Sequence, residues 1–248
     1  GIFWRTPKFI LEDWQNIFNL KELNYKNLEY YYSKFEKKLN VIFDKRNNTN
    51  NLVSNLIEDA ANKLKWSFES APRAVKDCQF NNLCSAGCPS GAKMSVDKSL
   101  IKNLSEEKLK NLKLYTNLKI IHLIKTNNRI TSAIGLFKIK KKKQKIIIKA
   151  KNFFLNAGTI NSASILKKSN ISSNAGKFMQ FHINLRVMAK FKKNLNPFEG
   201  TVYTLQIQEF LKKGFTIASS NFHDSYNMSI LSNFTNQEIN DYLDNKDN

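Results

Sequence analysis

Cysteine is scarce, with three in 248 residues. So few thiols cannot build a disulfide framework, and the fold has to rest on packing. Acidic residues are short as well: 20 Asp and Glu stand against 40 Lys and Arg, a formal charge of +20. No apolar run approaches the roughly 20 residues that a membrane-spanning helix needs. No basic-then-apolar leader opens the chain. The first residue is Gly rather than Met, so the chain reads as beginning inside a longer protein. Its three histidines, His122, His182 and His223, come with no nucleophile or carboxylate in a triad pattern. Apolar and aromatic residues are plentiful, at 42% and 12%. That composition is globular and long enough for one large domain or two modest ones.

The charge raises nucleic acid or an anionic membrane as partners. The densest lysine run, Lys138 to Lys151, lies between two apolar stretches, Ile130–Ile139 and Ile146–Leu155. It reads as a solvated hairpin tip that discourages edge pairing. Arg129 is the only arginine near it, and no aromatics interleave with the lysines as a base-stacking platform requires. The basic residues read as spread along the chain beside many Asn and Ile, the mark of an AT-rich genome. A basic α/β module for nucleic acid or another polyanion is therefore the alternative reading, and the expected partners exclude nucleic acid.

Along the chain, Leu28, Tyr31, Phe35 and Leu39 recur at helical steps. Asp44–Asn51 is a polar loop, and Asn51–Leu64 a second helix with Leu52, Leu56, Ile57, Ala60 and Leu64 on one face. Trp66–Asp77, with Pro72, reads as irregular, and Ser99–Leu109 as a short helix. Leu112–Lys125, Ile130–Ile139 and Lys145–Leu155 are β-branched runs separated by Asn-Asn and poly-Lys turns, which predicts a strand meander. The third runs directly into Asn156-Ala157-Gly158-Thr159 and a helix through Ile165, Leu166 and Lys168. Three later strands are expected at Leu185–Ala189, Val202–Ile207 and Phe215–Ser219. The last dozen residues are expected to fray.

Two constellations carry chemistry. Cys78, Cys84 and Cys88 lie in a loop dense in Gly, Pro and Ser. A tetrahedral zinc site or an iron–sulfur centre ordinarily wants a fourth ligand, so the spacing favours structural thiols over a metal or a disulfide. At Ala157-Gly158, residues without bulk follow a strand and open a helix. There the backbone can come against a ligand, and helix N-terminal amides can face a phosphate; plain strand–helix packing uses the same small residues.

Read together, four stretches in sequence order resemble the glucose–methanol–choline (GMC) oxidoreductases. Leu23-Asn24-Tyr25-Lys26-Asn27-Leu28-Glu29-Tyr30-Tyr31-Tyr32-Ser33-Lys34-Phe35-Glu36 is similar to that family's Y-x-D-L-x-x-Y-Y-x-x-x-E helix. Gly87-Cys88-Pro89-Ser90-Gly91-Ala92-Lys93-Met94-Ser95 resembles its G-C-P-x-G-A-K-x-S loop. The segment from Ala157-Gly158 through Ser162 and Leu166 to Ser169 resembles A-G-x-x-x-S-P-x-x-L-x-x-S-G, and Gly176 to His182 resembles G-x-x-x-x-x-H. Asn27, Ala163 and Asn170 replace the family's Asp, Pro and Gly.

The resemblance implies an α/β (mixed α+β) fold: part of an FAD-binding domain with a β-meander, and an antiparallel substrate-domain sheet covered by helices. It assigns residues 1–99 to a substrate-domain portion with the Cys-rich loop. Residues 100–175 fall to the FAD domain, and 176–248 to the substrate-domain sheet. It implies FAD as cofactor and oxidation of a small-molecule alcohol, with hydride passing to flavin N5. Cofactor contacts are expected at Gly1, the end of a W-G-G stretch; at Ile120, whose backbone meets the adenine; and at Ala157 and Gly158. No catalytic residue and no metal ligand is assigned. The family's G-x-G-x-x-G motif and catalytic His have no counterpart here, so the resemblance implies an internal fragment, inactive alone. Free cysteines lean towards a cytoplasmic compartment.

Overall fold

A computed structural model describes residues 1–43, 51–102, 104, 110–140, 142–187, 189, 191–192, 195–196, 199–220 and 234–245. In chain order the elements are α1 (Lys8–Phe18), α2 (Tyr25–Lys38), β1 (Val41–Phe43), α3 (Leu52–Leu64), β2 (Phe68–Ser70) and β3 (Pro72–Ala74). They continue with β4 (Leu118–Thr126), β5 (Arg129–Ile139), β6 (Lys142–Lys149), α4 (Gly158–Lys168), β7 (Leu205–Ile207), β8 (Ile217–Ala218) and α5 (Asn236–Asn245). Among the described residues these strands pair antiparallel, and with the helices they make a mixed α/β chain. It divides into two compact units, one of residues 1–105 with 188–248 and the other of 106–187.

The first unit holds two small sheets, β1–β3 and β2–β7–β8. Its best-buried side chains include Leu11, Ile207, Asn51, Thr201 and Ser219, so much of the interior is polar and has to be hydrogen-bonded. The Thr204 hydroxyl donates to Ser54 Oγ at 2.6 Å, and Ser54 donates to Ser219 Oγ at 2.7 Å. This chain of hydroxyls sets which side of α3 faces inward. Ser54 and Ala61 are buried, whereas Leu52, Leu56, Ala60 and Leu64 of the apolar stripe are exposed. Small residues and matched hydroxyls overrode the apolar stripe.

The start of the chain is fixed by an ion pair. Arg5 donates to Glu36 through Nε (2.7 Å) and Nη2 (2.6 Å), and its Nη1 reaches Tyr25 Oη at 3.2 Å. The hydrogen bonds from Arg5 hold the Glu36 carboxyl below its ordinary 4.5 against the opposing effect of burial. A carboxylate with a lowered native pKa stabilises the fold above its unfolded value, and that contribution fades as the pH falls through the native one. Glu36→Gln is therefore expected to cost about 1–3 kcal/mol at pH 7. The gap to the wild type should narrow progressively below pH 4.5, which denaturant midpoints measured across that range would record.

The second unit is the meander β4–β5–β6. Its inner face packs Leu123 and Ala133 against Ile165 of α4, with Ile120, Ile130, Ile148, Phe153, Leu155 and Ile171 around them. The meander exists with altered bounds. Leu112–Asn117 is not strand; the run breaks at Asn117, which sits at φ 57°. β6 ends at Lys149, and 150–157 continues to α4 outside any ladder, although Phe153 and Leu155 still reach the core.

Elsewhere α1, unmarked by any periodicity noted above, fills part of the aromatic opening. Pro72 stands at the first position of strand β3, where a proline is tolerated in a sheet. Among the described residues of the expected helix at Ser99–Leu109, a π-helical turn, Asp97–Ile101, covers its start; 103 and 105–109 lie outside the described residues. Val202–Ile207 narrows to β7 and Phe215–Ser219 to β8. Residues 185–187 are not strand, with Leu185 and Val187 91% and 93% exposed. The C-terminal stretch forms α5 because Thr235 and Glu238 cap it reciprocally. Thr235 N–H donates to Glu238 Oε2 at 2.8 Å and Glu238 N–H to Thr235 Oγ1 at 3.3 Å.

Candidate functional site

The Ala157-Gly158 turn opens α4. Gly158 has φ +78°, a left-handed conformation that suits glycine, and apart from its chain neighbours and the backbone of α4 itself no atom lies within 4 Å of where a Cβ would stand. Ala157 is the N-cap, and no side chain caps the first turn of the helix. A helix start leaves backbone N–H groups without intrahelical partners, and here the residues that open the helix, 157–160, are exposed. Ala157 N–H itself donates to Ser162 Oγ at 3.1 Å, which fixes the approach to the helix.

The far end of α4 is clamped to the meander. Ser169 Oγ accepts from Leu123 N–H at 2.8 Å and donates to the Ile165 carbonyl at 2.6 Å. Asn170 follows at φ 52°, with Asn170 N–H donating to Lys167 O and Ile171 N–H to Leu166 O. This is the two-bond helix ending that glycine usually closes. Asn is among the few other residues that enter the left-handed region readily, so the replacement of Gly is accommodated. Ser162 and Ser169 are thus positioning residues. The motif spelled both of them, but its spacing did not say that one holds the turn and the other ties α4 to β4.

Ile120 lies half-buried in β4 opposite Gly135, just before a bulge at Ile121. Its side chain packs on the core that also receives Leu155, two residues before the turn. Ile120, Ala157 and Gly158 therefore belong to one unit, with Ile120 on its core and the turn exposed at its surface. Gly1 belongs to the other unit: its carbonyl accepts from Ala74 N–H at 2.8 Å, and Ile2 bridges Arg73. His122 is a half-buried residue of β4, His182 is exposed, and His223 lies outside the described residues.

The Cys loop packs in the same unit as Gly1. Arg73 donates to Cys78 Sγ at 3.8 Å, and Lys93 N–H to Cys88 Sγ at 3.3 Å. Burial pushes the Cys88 thiol up, but the N–H groups of Lys93 and Ala92, the Ser90 hydroxyl and the Lys93 charge outweigh it and hold the thiol below its ordinary value. All three cysteines are free thiols. Among the described residues no group of three or more Cys, His, Asp or Glu is placed to hold a metal ion. No described helix is long and apolar enough to cross a membrane.

Comparison with known proteins meets this geometry at the level of the family. The model of the GMC oxidoreductases matches residues 1–184, a span that includes the Cys loop, the meander, the open turn and the Ser169 clamp. An uncharacterised GMC-type oxidoreductase of Sinorhizobium fredii is 21% identical over 238 residues, covering 96% of this chain and 46% of that protein. A long-chain-alcohol oxidase of Arabidopsis thaliana is 22% identical over 206 residues, covering 80% of this chain and 27% of that protein. The chain therefore spans less than half the length of these curated relatives. With three quarters of its length matched by the family's model, it belongs to the GMC oxidoreductase family.

Proposed function

We propose that this chain is the central part of an FAD-dependent oxidoreductase that converts the CH–OH group of an alcohol to a carbonyl. The observation that carries the reading is the open left-handed Gly158 at the start of α4. A dinucleotide needs a place where its phosphate can approach backbone closely and meet N–H donors, and the turn offers both. The residues present therefore fit the group. Gly158 and Ala157 would admit it, the Ile120 backbone would border the adenine, and Gly1 would lie beside the flavin. FAD, when bound, supplies the acceptor for hydride from the alcohol carbon. The chain's own contribution is to hold the turn rigid. Ser162 fixes Ala157, and Ser169 ties α4 to β4, so the cofactor meets a preformed surface.

The sequence has no G-x-G-x-x-G, and its histidines come with no base–partner pattern in the sequence. The dinucleotide motif and the general base are accordingly assigned to polypeptide outside these 248 residues. Residues 1–99 and 176–248 are assigned to the substrate domain and 100–175 to the FAD domain. The relative named for long-chain alcohols places alcohols of increasing chain length first among the substrates to test. Product of the complete reading frame should purify yellow, release FAD on denaturation, and reduce its flavin when given an alcohol without oxygen. A colourless product that gains no flavin on titration with FAD would overturn the reading.

A further inference from the structure

The net charge is not spread along the chain. Between Lys108 and Phe198 there is no Asp or Glu and there are 21 Lys and Arg, while the rest of the sequence carries 19 basic and 20 acidic residues. Evenly distributed acids would place about seven in that stretch, so an AT-rich composition alone does not account for the pattern. Essentially the whole excess falls on and around the β4–β5–β6 unit.

The strand register shows where the sheet presents it. Gly135, Ala133, Ile146 and Ile148 alternate onto the face that meets α4. The opposite face carries Lys119 and Lys145 either side of Leu136, Lys138 directly opposite Lys143, and Lys149 opposite Ser132. All five lysines are exposed. Like charges directly opposite across a ladder are destabilising, and a stretch without a single carboxylate has none of its own to set between them. Ile147, on the same face, is 60% exposed. This face therefore combines lysines with aliphatic side chains and holds no Phe, Tyr or Trp; the half-buried His122 lies opposite Ile134, and Arg129, at the end of β5 beside the core-facing Ile130, donates to the Lys151 carbonyl.

Nucleic-acid surfaces read bases with Arg and stack them on exposed aromatics, whereas this face offers a single arginine, engaged with the Lys151 carbonyl, and no Phe, Tyr or Trp. A bilayer rich in acidic headgroups asks only for clustered cations with aliphatic groups that settle at the headgroup boundary. We propose that the outer face of β4–β5–β6 docks on an anionic lipid surface.

The test is sedimentation of the purified protein with vesicles of phosphatidylcholine alone or mixed with phosphatidylglycerol. The expected result is retention on the mixed vesicles only, released by added salt. Lys119→Gln, Lys143→Gln and Lys145→Gln together should weaken retention on the order of a hundredfold, because each lysine near the surface contributes about fivefold. Single replacements at Lys143 or Lys145, about fivefold each, give the same reading with less perturbation. Replacing Lys34, Lys37 and Lys38 of α2 with Gln should leave retention within about twofold, and circular dichroism would show that each variant is folded. Equal retention on neutral vesicles, equal losses from the α2 set, or tighter retention on single-stranded RNA at the same salt would each overturn the proposal.

Discussion

Gly158→Ala is expected to lower FAD affinity at least a hundredfold while the protein stays folded. The two halves of this expectation have different causes. The backbone at φ +78° is one that a residue with a Cβ adopts at a cost of about 1–2 kcal/mol. Because nothing apart from its chain neighbours and the backbone of α4 lies within 4 Å of the new carbon, no collision with the rest of the protein adds to that cost. The methyl group would instead stand in the open space into which the dinucleotide is proposed to come. A hundredfold loss corresponds to about 2.8 kcal/mol, well within what displacing close backbone contacts to a phosphate costs. Gly176 supplies the matched control. It has φ +82°, and its added Cβ would rest in ordinary contact with Ala163, 3.8 Å away. Gly176→Ala should lower the melting temperature about as much as Gly158→Ala and leave flavin titration unchanged. Equal flavin loss in both variants would mean that strain, not occupancy of the open space, governs binding.

This pair also shows what the residues disclose on their own. Ala157-Gly158 was legible because only a small residue suits a turn opening a helix, and α2 and the meander were legible because one period dominates each. Where two signals competed, reading failed. In α3 the leucines spell one apolar face, but a helix lying close to a sheet needs small side chains, and Ser54 has two hydroxyl partners 150 and 165 residues away in sequence. No local pattern carries that information. The segment 150–157 has the composition of a strand, yet ladder membership depends on a neighbour, which its own residues cannot specify. Leu185 and Val187 make the same point in the open. In contrast, α5 was marked: Thr235 and Glu238 stand at capping-box spacing, and that signal outweighs the acidic composition that suggests fraying. The motif serines are a third case. Ser162 and Ser169 were visible as letters, but only the fold shows that each holds a backbone N–H.

Asn51→Ala is expected to cost about 2–4 kcal/mol, more than helix capping alone explains. Asn51 is 1% exposed. Its Oδ1 accepts from Ser54 N–H at 2.9 Å to cap α3, and its Nδ2 donates to the Thr201 carbonyl at 2.6 Å, joining residues 150 apart in sequence. Losing a cap costs about 1 kcal/mol. Leaving a buried carbonyl without its donor adds about 1–3 kcal/mol, and the neighbouring Ser54 hydroxyl chain loosens with it. Asn24 makes the comparison clean, because it caps α2 through the same kind of bond, to Asn27 N–H at 2.9 Å, on an exposed surface. Asn24→Ala should therefore cost about 1 kcal/mol or less. Asn51→Asp separates the two roles further: it keeps the cap acceptor but turns a carboxylate oxygen towards the Thr201 carbonyl, so it should destabilise at least as much as alanine. Urea midpoints for the three variants decide the matter. If Asn51→Ala costs no more than Asn24→Ala, the buried bond to Thr201 is not what fastens α3 to the sheet.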